Sequence, residues 1–114
     1  MLTVKEKGIL LKIIKHCKRV EKKAKGFDRE SFEEDEDAIE VVCFNLFQIG
    51  ELAKKLSNDF IMKYNKVPWR QIKGLRDQIV HGYETLDMDI IWYTVTEDVK
   101  PLKDYCDKII NEDA

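Results

Sequence analysis

The sequence predicts an all-α fold, and three observations carry the prediction. Proline and glycine are scarce, two and five residues in 114, which argues against a chain of short strands and tight turns. Apolar residues recur at helical rather than alternating spacing over four long stretches. Capping residues stand at the heads of those stretches. One domain over residues 1–114 is expected at this length, an up-and-down bundle of four main helices plus a short one. Hydrophobic residues are 44% and charged residues 37%, so a core can form. The formal net charge of −2 excludes a uniformly basic nucleic-acid binder, and any polyanion site must be local.

The first helix spans about Thr3 to Lys25. Ile9, Leu10, Ile13, Ile14, Cys17 and Val20 fall on one face at about 100° per residue. Thr3 with Glu6 reads as a capping box and Gly26 as the stop. Residues 5–25 hold nine Lys/Arg against Glu6 and Glu21; this face is either a solvated surface or one that attracts phosphate. Residues 28–40 reverse the sign, with eight Asp/Glu against Arg29 alone. The two blocks could steady an antiparallel helix pair or keep nucleic acid off one side. Ser31 with Glu34 reads as a second capping box.

A second helix is expected from about Phe32 to Leu56. From Ala38 onward it is apolar on most sides, which suits a helix shared between a core and a partner, hence a homodimer. Gly50 costs about 1 kcal/mol of helix stability relative to Ala and so suggests close backbone packing. Glu40, Gln48, Glu51 and Lys55 make a polar stripe about 80° wide, with Phe44 among them. Asn45 points into the apolar arc and needs a hydrogen-bond partner there.

Residues 57–68 hold a short turn or helix ending at Pro68, which suits a first helical position. The third main helix runs from Trp69 to about His81, with Trp69, Ile72, Leu75 and Ile79 inward and Gly82 at its end. The fourth starts at Asp87 as N-cap. Its stripe, from Met88 and Ile91 through Val99 to Ile109 and Ile110, stays in phase across Pro101, so a kink is expected there.

Cys17, Cys43 and Cys106 are odd in number and far apart, with no CxxC pair, so buried thiols in a reducing compartment are expected rather than a disulfide framework or a zinc site. There is no signal-peptide pattern, and no apolar run approaches the roughly 18–20 residues a membrane span needs. A soluble, cytoplasmic protein without membrane contact is expected. No glycine-rich phosphate loop and no metal-ligand spacing is present, so no cofactor or metal is expected. Neither Ser31 nor Ser57 lies in a nucleophile motif.

The compact reactive set is Leu75–Tyr83, LRDQIVHGY. Arg76 lies about 40° from Ile72 on an ideal helix, on the inward flank, where it requires a carboxylate or a phosphate. It is either a structural ion pair, for instance with Glu51, or a phosphate ligand. His81 lies about 140° around the helix from Arg76. The two converge only if Gly82 lets the helix end unwind or if a second subunit supplies one of them. His81 is either a helix-capping residue or a general acid favoured by the helix dipole. Tyr83 is either a packing residue or a reachable hydroxyl near the same cleft. His16 lies at the edge of the first helix's stripe, a boundary position.

Arg76, four residues, His81, one residue and Tyr83 resemble the Arg-x4-His-x-Tyr signature of the HepT-like toxins of the HEPN superfamily. Asn45–Ser57, NLFQIGELAKKLS, is similar to the family's second helix with its Gly-Glu pair, and Val67–Tyr83, VPWRQIKGLRDQIVHGY, to its central signature. Asp87 and Trp92 stand where the family's last helix begins. The resemblance implies an all-α dimeric ribonuclease, metal-independent, acting on RNA rather than DNA as the toxin of a type VII-like toxin–antitoxin pair. Arg76 and His81 would be catalytic, with Asp77, Glu51 and Asn45 supporting. The implied partner is a minimal nucleotidyltransferase antitoxin that adds AMP to Tyr83. Asp77 stands where the family commonly has Asn; it can pair with Arg76, orient His81 or repel a phosphate. A catalytically silent module that binds nucleotide or docks the nucleotidyltransferase is the alternative.

Overall fold

Local capping fixes the first helix. In the computed structural model, which describes residues 1–82 and 85–113, the Thr3 hydroxyl accepts from the Glu6 N–H at 3.0 Å and the Glu6 carboxylate accepts from the Thr3 N–H at 2.9 Å. Helix α1 (Val4–Ala24) follows, burying Ile9, Leu10, Ile13, Cys17 and Val20. Gly26 ends it at φ +88°, a backbone region that favours glycine.

The expected second helix is two. Asp28, not Ser31, caps α2 (Arg29–Glu34), and Ser31 is the third-position partner of that box. Asp35 then adopts an extended conformation, and its carboxylate accepts from the Ala38 N–H at 2.9 Å, starting α3 (Glu36–Lys54). In a run of acids several residues can cap, and burial of Phe32 against Trp92, ring centroids 5.1 Å apart, holds α2 as a separate turn of the chain.

Ser57 caps α4 (Asn58–Lys63). The Trp69 indole N–H donates to the Tyr64 carbonyl at 3.0 Å and ties α4 to α5 (Trp69–Val80). Pro68 sits at the N-cap rather than at the first helical position, and His81 is the C-cap. Asp87 caps α6 (Met88–Tyr93). A π-helical turn (Thr94–Asp98) joins it without a break to α7 (Val99–Asp113). The adjustment expected at Pro101 is therefore made one turn earlier. A proline at 101 crowds the carbonyl of Glu97 in α geometry, and Glu97 lies within the wider π turn.

Four main helical rods, with α2 and α4 as short connectors, make the all-α bundle. Helix α3 lies between α1 on one side and α5 on the other, and α1 also packs on α7. No ion pair among the described residues joins the basic block of α1 to the acidic block at 28–40; Glu21 of α1 pairs instead with Lys103 of α7 at 2.7 Å. Cys17, Cys43 and Cys106 are buried free thiols. No helix among the described residues is long and apolar enough to cross a membrane.

Candidate active site on helices α3 and α5

Gly50 lets α5 approach α3 closely. A Cβ built at Gly50 would lie 2.3 Å from Arg76 Cβ and 3.3 Å from the Ile72 carbonyl oxygen. Real Cβ atoms do not approach this closely, so only glycine fits. The close approach brings Arg76 over α3 and sets its guanidinium 5.4 Å from the Phe47 ring centroid, a cation–π geometry. Arg76 Nε donates to Glu51 Oε1, and Nη1 donates to Asp77 Oδ1 at 2.9 Å.

Asp77 first and Glu51 second hold the Arg76 proton more firmly than usual. The guanidinium has five N–H donors, and the described residues engage two of them. Three remain for an anion. The pairing of Arg76 with Glu51 read from the spacing is present, and Asp77 adds a second carboxylate.

His81 does not join this cluster. Its backbone is still in the helical region, φ −75° and ψ −3°. The chain turns only at Gly82, φ +104°, whose N–H donates to the Ile79 carbonyl at 3.1 Å. The helix end unwinds after His81 rather than before it, so the offset of about 140° from Arg76 stands. The His81 side chain is exposed, and no hydrogen bond joins it to Arg76. Tyr83 lies outside the described residues.

Asn45 sits on the other side of α3. It is 3% exposed; its Nδ2 donates to the Val41 carbonyl at 2.8 Å, and its Oδ1 lies 2.8 Å from His16 Nδ1. With Asn45 Oδ1 as acceptor, His16 Nδ1 carries a proton. This supplies the partner that Asn45 was expected to need, and it is His16 of α1, which sequence reading placed only at a boundary. Asn45 lies within the apolar arc of α3 and His16 at the edge of the stripe of α1, and nothing in the spacing alone pairs them. Between the His16 and Arg76 edges, α3 exposes Phe44 at 54% and Val41 at 38%, and α5 exposes Val80 at 51%. The described residues contain no His/Cys/Asp/Glu group arranged to hold a metal ion.

Comparison with known proteins shows the family. The family described as "Ribonuclease HepT-like" matches residues 13–109. "Putative RNase TTE0752" of Caldanaerobacter subterraneus subsp. tengcongensis is 31% identical over 101 residues, covering 89% of this chain and 90% of its own. "Probable ribonuclease HepT" of Thermococcus cleftensis is 38% identical over 61 residues, 54% of this chain and 56% of its own. "Putative RNase MJ0127" of Methanocaldococcus jannaschii is 35% identical over 88 residues, 74% and 73% of the two chains. No solved structure matches. By the extent of the family match and by these relatives, the chain belongs to the HepT-like ribonuclease family of the HEPN superfamily.

Proposed function

We propose that the chain is a metal-independent endoribonuclease that works as a homodimer and serves as the toxin of a toxin–antitoxin pair in the cytoplasm. The observation that carries the reading is Arg76: a guanidinium steadied on Phe47 by two carboxylates, with three N–H donors left over. In the reaction the RNA 2′-oxygen attacks the adjacent phosphorus and the 5′-oxygen leaves, giving a 2′,3′-cyclic phosphate and a 5′-hydroxyl. A neutral His81 takes the 2′-hydroxyl proton, a protonated His81 gives one to the departing 5′-oxygen, and Arg76 stabilises the crowded phosphorane.

Two histidines and a nearby arginine require two chains, because Arg76 and His81 leave α5 on different flanks. The exposed Phe44 and Val41 of α3 and Val80 of α5 are apolar surface such a dimer would cover. A nucleotidyltransferase antitoxin would then silence the site by joining AMP to Tyr83. The tyrosine oxygen attacks the α-phosphorus of ATP, its proton passes to solvent and pyrophosphate leaves; the negative charge of the added phosphate repels the RNA backbone.

The test is cleavage in excess EDTA by purified, unmodified protein. The cyclic phosphate should form, and Arg76→Ala and His81→Ala should each fold and each lose it. Full activity in His81→Ala refutes the assignment. The second reading, a silent partner-binding module, is favoured by the two carboxylates that occupy Arg76. No cleavage by the parent chain, together with cleavage by Asp77→Asn, would mark Asp77 as the residue that silences it.

A further inference from the structure

On the flank of α5 turned away from Arg76, α5 and the rod formed by α6, the π turn and α7 do not close on each other. A cleft of about 570 Å³ lies between them. Its floor is Leu46 and Ile49 of α3, and its walls are Ile72, Leu75, Ile90 and Leu102. The ionised groups of the lining are Asp89 and Asp98, with no Lys or Arg. Asp89 is paired with Arg29. The Asp98 carboxylate has no hydrogen bond or ion pair among the described residues. Burial, and Glu97 beside it, push its carboxyl above the usual range. Asp98 also lies in the π turn, and such turns within α-helices recur at functional sites.

We propose that this cleft docks a second protein through a basic amphipathic helix, whose apolar ridge seats between α5 and the rod and whose Lys or Arg meets Asp98. The α5 wall, Pro68 to Gln78, rises about 15 Å, close to three helical turns. An apolar cleft with a wall of that length fits the anchors of a helix at i, i+3, i+4 and i+7. With Asp89 already paired, the unpaired Asp98 carboxylate is the charge that selects a partner cation.

A second copy of this chain does not fit. Its one strongly basic helix, α1, has its apolar stripe buried in its own core. Cleft against cleft would set concave surface on concave surface and bring like charges together. The inference does not rest on the ribonuclease reading, since the cleft and Arg76 lie on different flanks of α5.

The experiment titrates the full chain into a fluorescent 15-residue helical peptide of Leu and Lys, and into the same peptide with every Lys replaced by Gln. The Lys peptide should bind and the Gln peptide should bind at least roughly tenfold more weakly, a difference of about 1.4 kcal/mol. Asp98→Asn and Ile90→Ser should each weaken binding severalfold; Ile90 is 41% exposed, so its variant keeps the core. Glu36→Gln with Asp37→Asn, in the acidic block, should change nothing. Failure of the Lys peptide to bind, equal binding of the Gln peptide, or loss only in the Glu36/Asp37 variant would overturn the proposal. So would self-association that Ile90→Ser abolishes, which would give the cleft to a second copy.

Discussion

Gly50→Ala tests the close approach that places Arg76. In an ordinary helix interior this substitution stabilises by about 1 kcal/mol, because glycine loses more backbone freedom on folding. Here the new methyl would stand 2.3 Å from Arg76 Cβ and 2.8 Å from its Cγ. Contact between carbons begins near 3.5 Å, so α5 must retreat by about 1 Å. The clash is with Cβ, next to the backbone, and a change of rotamer cannot relieve it. Overpacking of this kind costs about 1–3 kcal/mol, and the geometry puts the cost at the upper end. The net expectation is a loss of about 2 kcal/mol, or roughly 8–12 °C in Tm for a chain of this size. Gly8→Ala is the control: it lies within α1 with nothing within 4 Å of its added methyl, and should stabilise by about 0.5–1 kcal/mol. Urea and thermal unfolding followed by far-ultraviolet circular dichroism read both. If Gly50→Ala is as stable as the parent or more so, the approach of α5 to α3 is looser than described and the placement of Arg76 falls with it.

Asn45→Ala should cost about 1–2 kcal/mol, since it leaves His16 Nδ1 without its partner in the bundle; the same unfolding measurement checks it, and an unchanged stability would refute a structural role for the pair. Asp98→Asn should raise the Tm at neutral pH and leave it unchanged near pH 3. A carboxyl whose folded pKa lies above its unfolded one lowers stability as pH rises past the unfolded value, and burial with Glu97 gives Asp98 that direction. Native protein should resist alkylation at pH 8, because burial pushes the Cys43 thiol up to about 11 and Cys106 up to about 12; full labelling should require denaturant, and mass spectrometry distinguishes the two. Mixing Arg76→Ala with His81→Ala should restore no cleavage, because the mixed dimer carries a single His81 and the cleft uses two; cleavage by the mixture would refute the two-histidine arrangement. Tyr83→Phe should remain a nuclease that a co-expressed nucleotidyltransferase cannot silence by adding AMP, as intact-mass measurement would record.

What depends on near neighbours along the chain can be read from the residues alone. Thr3 and Glu6 cap each other three residues apart, Gly26 and Gly82 end helices by a backbone preference of their own, and the stripe from Ile91 to Ile109 needs only helical spacing to be read. The inward flank of Arg76, its need for a carboxylate or a phosphate and the close packing at Gly50 were legible for the same reason: on a helix, angular position follows from residue count. Packing of the bundle selects among local choices that are equivalent along the chain, according to which of them is buried. Along the acidic run any of several carboxylates can cap, and the burial of Phe32 against Trp92 selected Asp28 and Asp35. The π turn answers Pro101 from a full turn away. The pairing of His16 with Asn45, separated by 29 residues, exists because α1 and α3 pack in one particular register. The cleft beside Asp98 exists because α5 rests chiefly on α3, and no local pattern encodes a gap between two helices that each look ordinary alone. The separate flanks taken by Arg76 and His81 follow from spacing, but only the fold showed that the turn at Gly82 comes too late to bring them together.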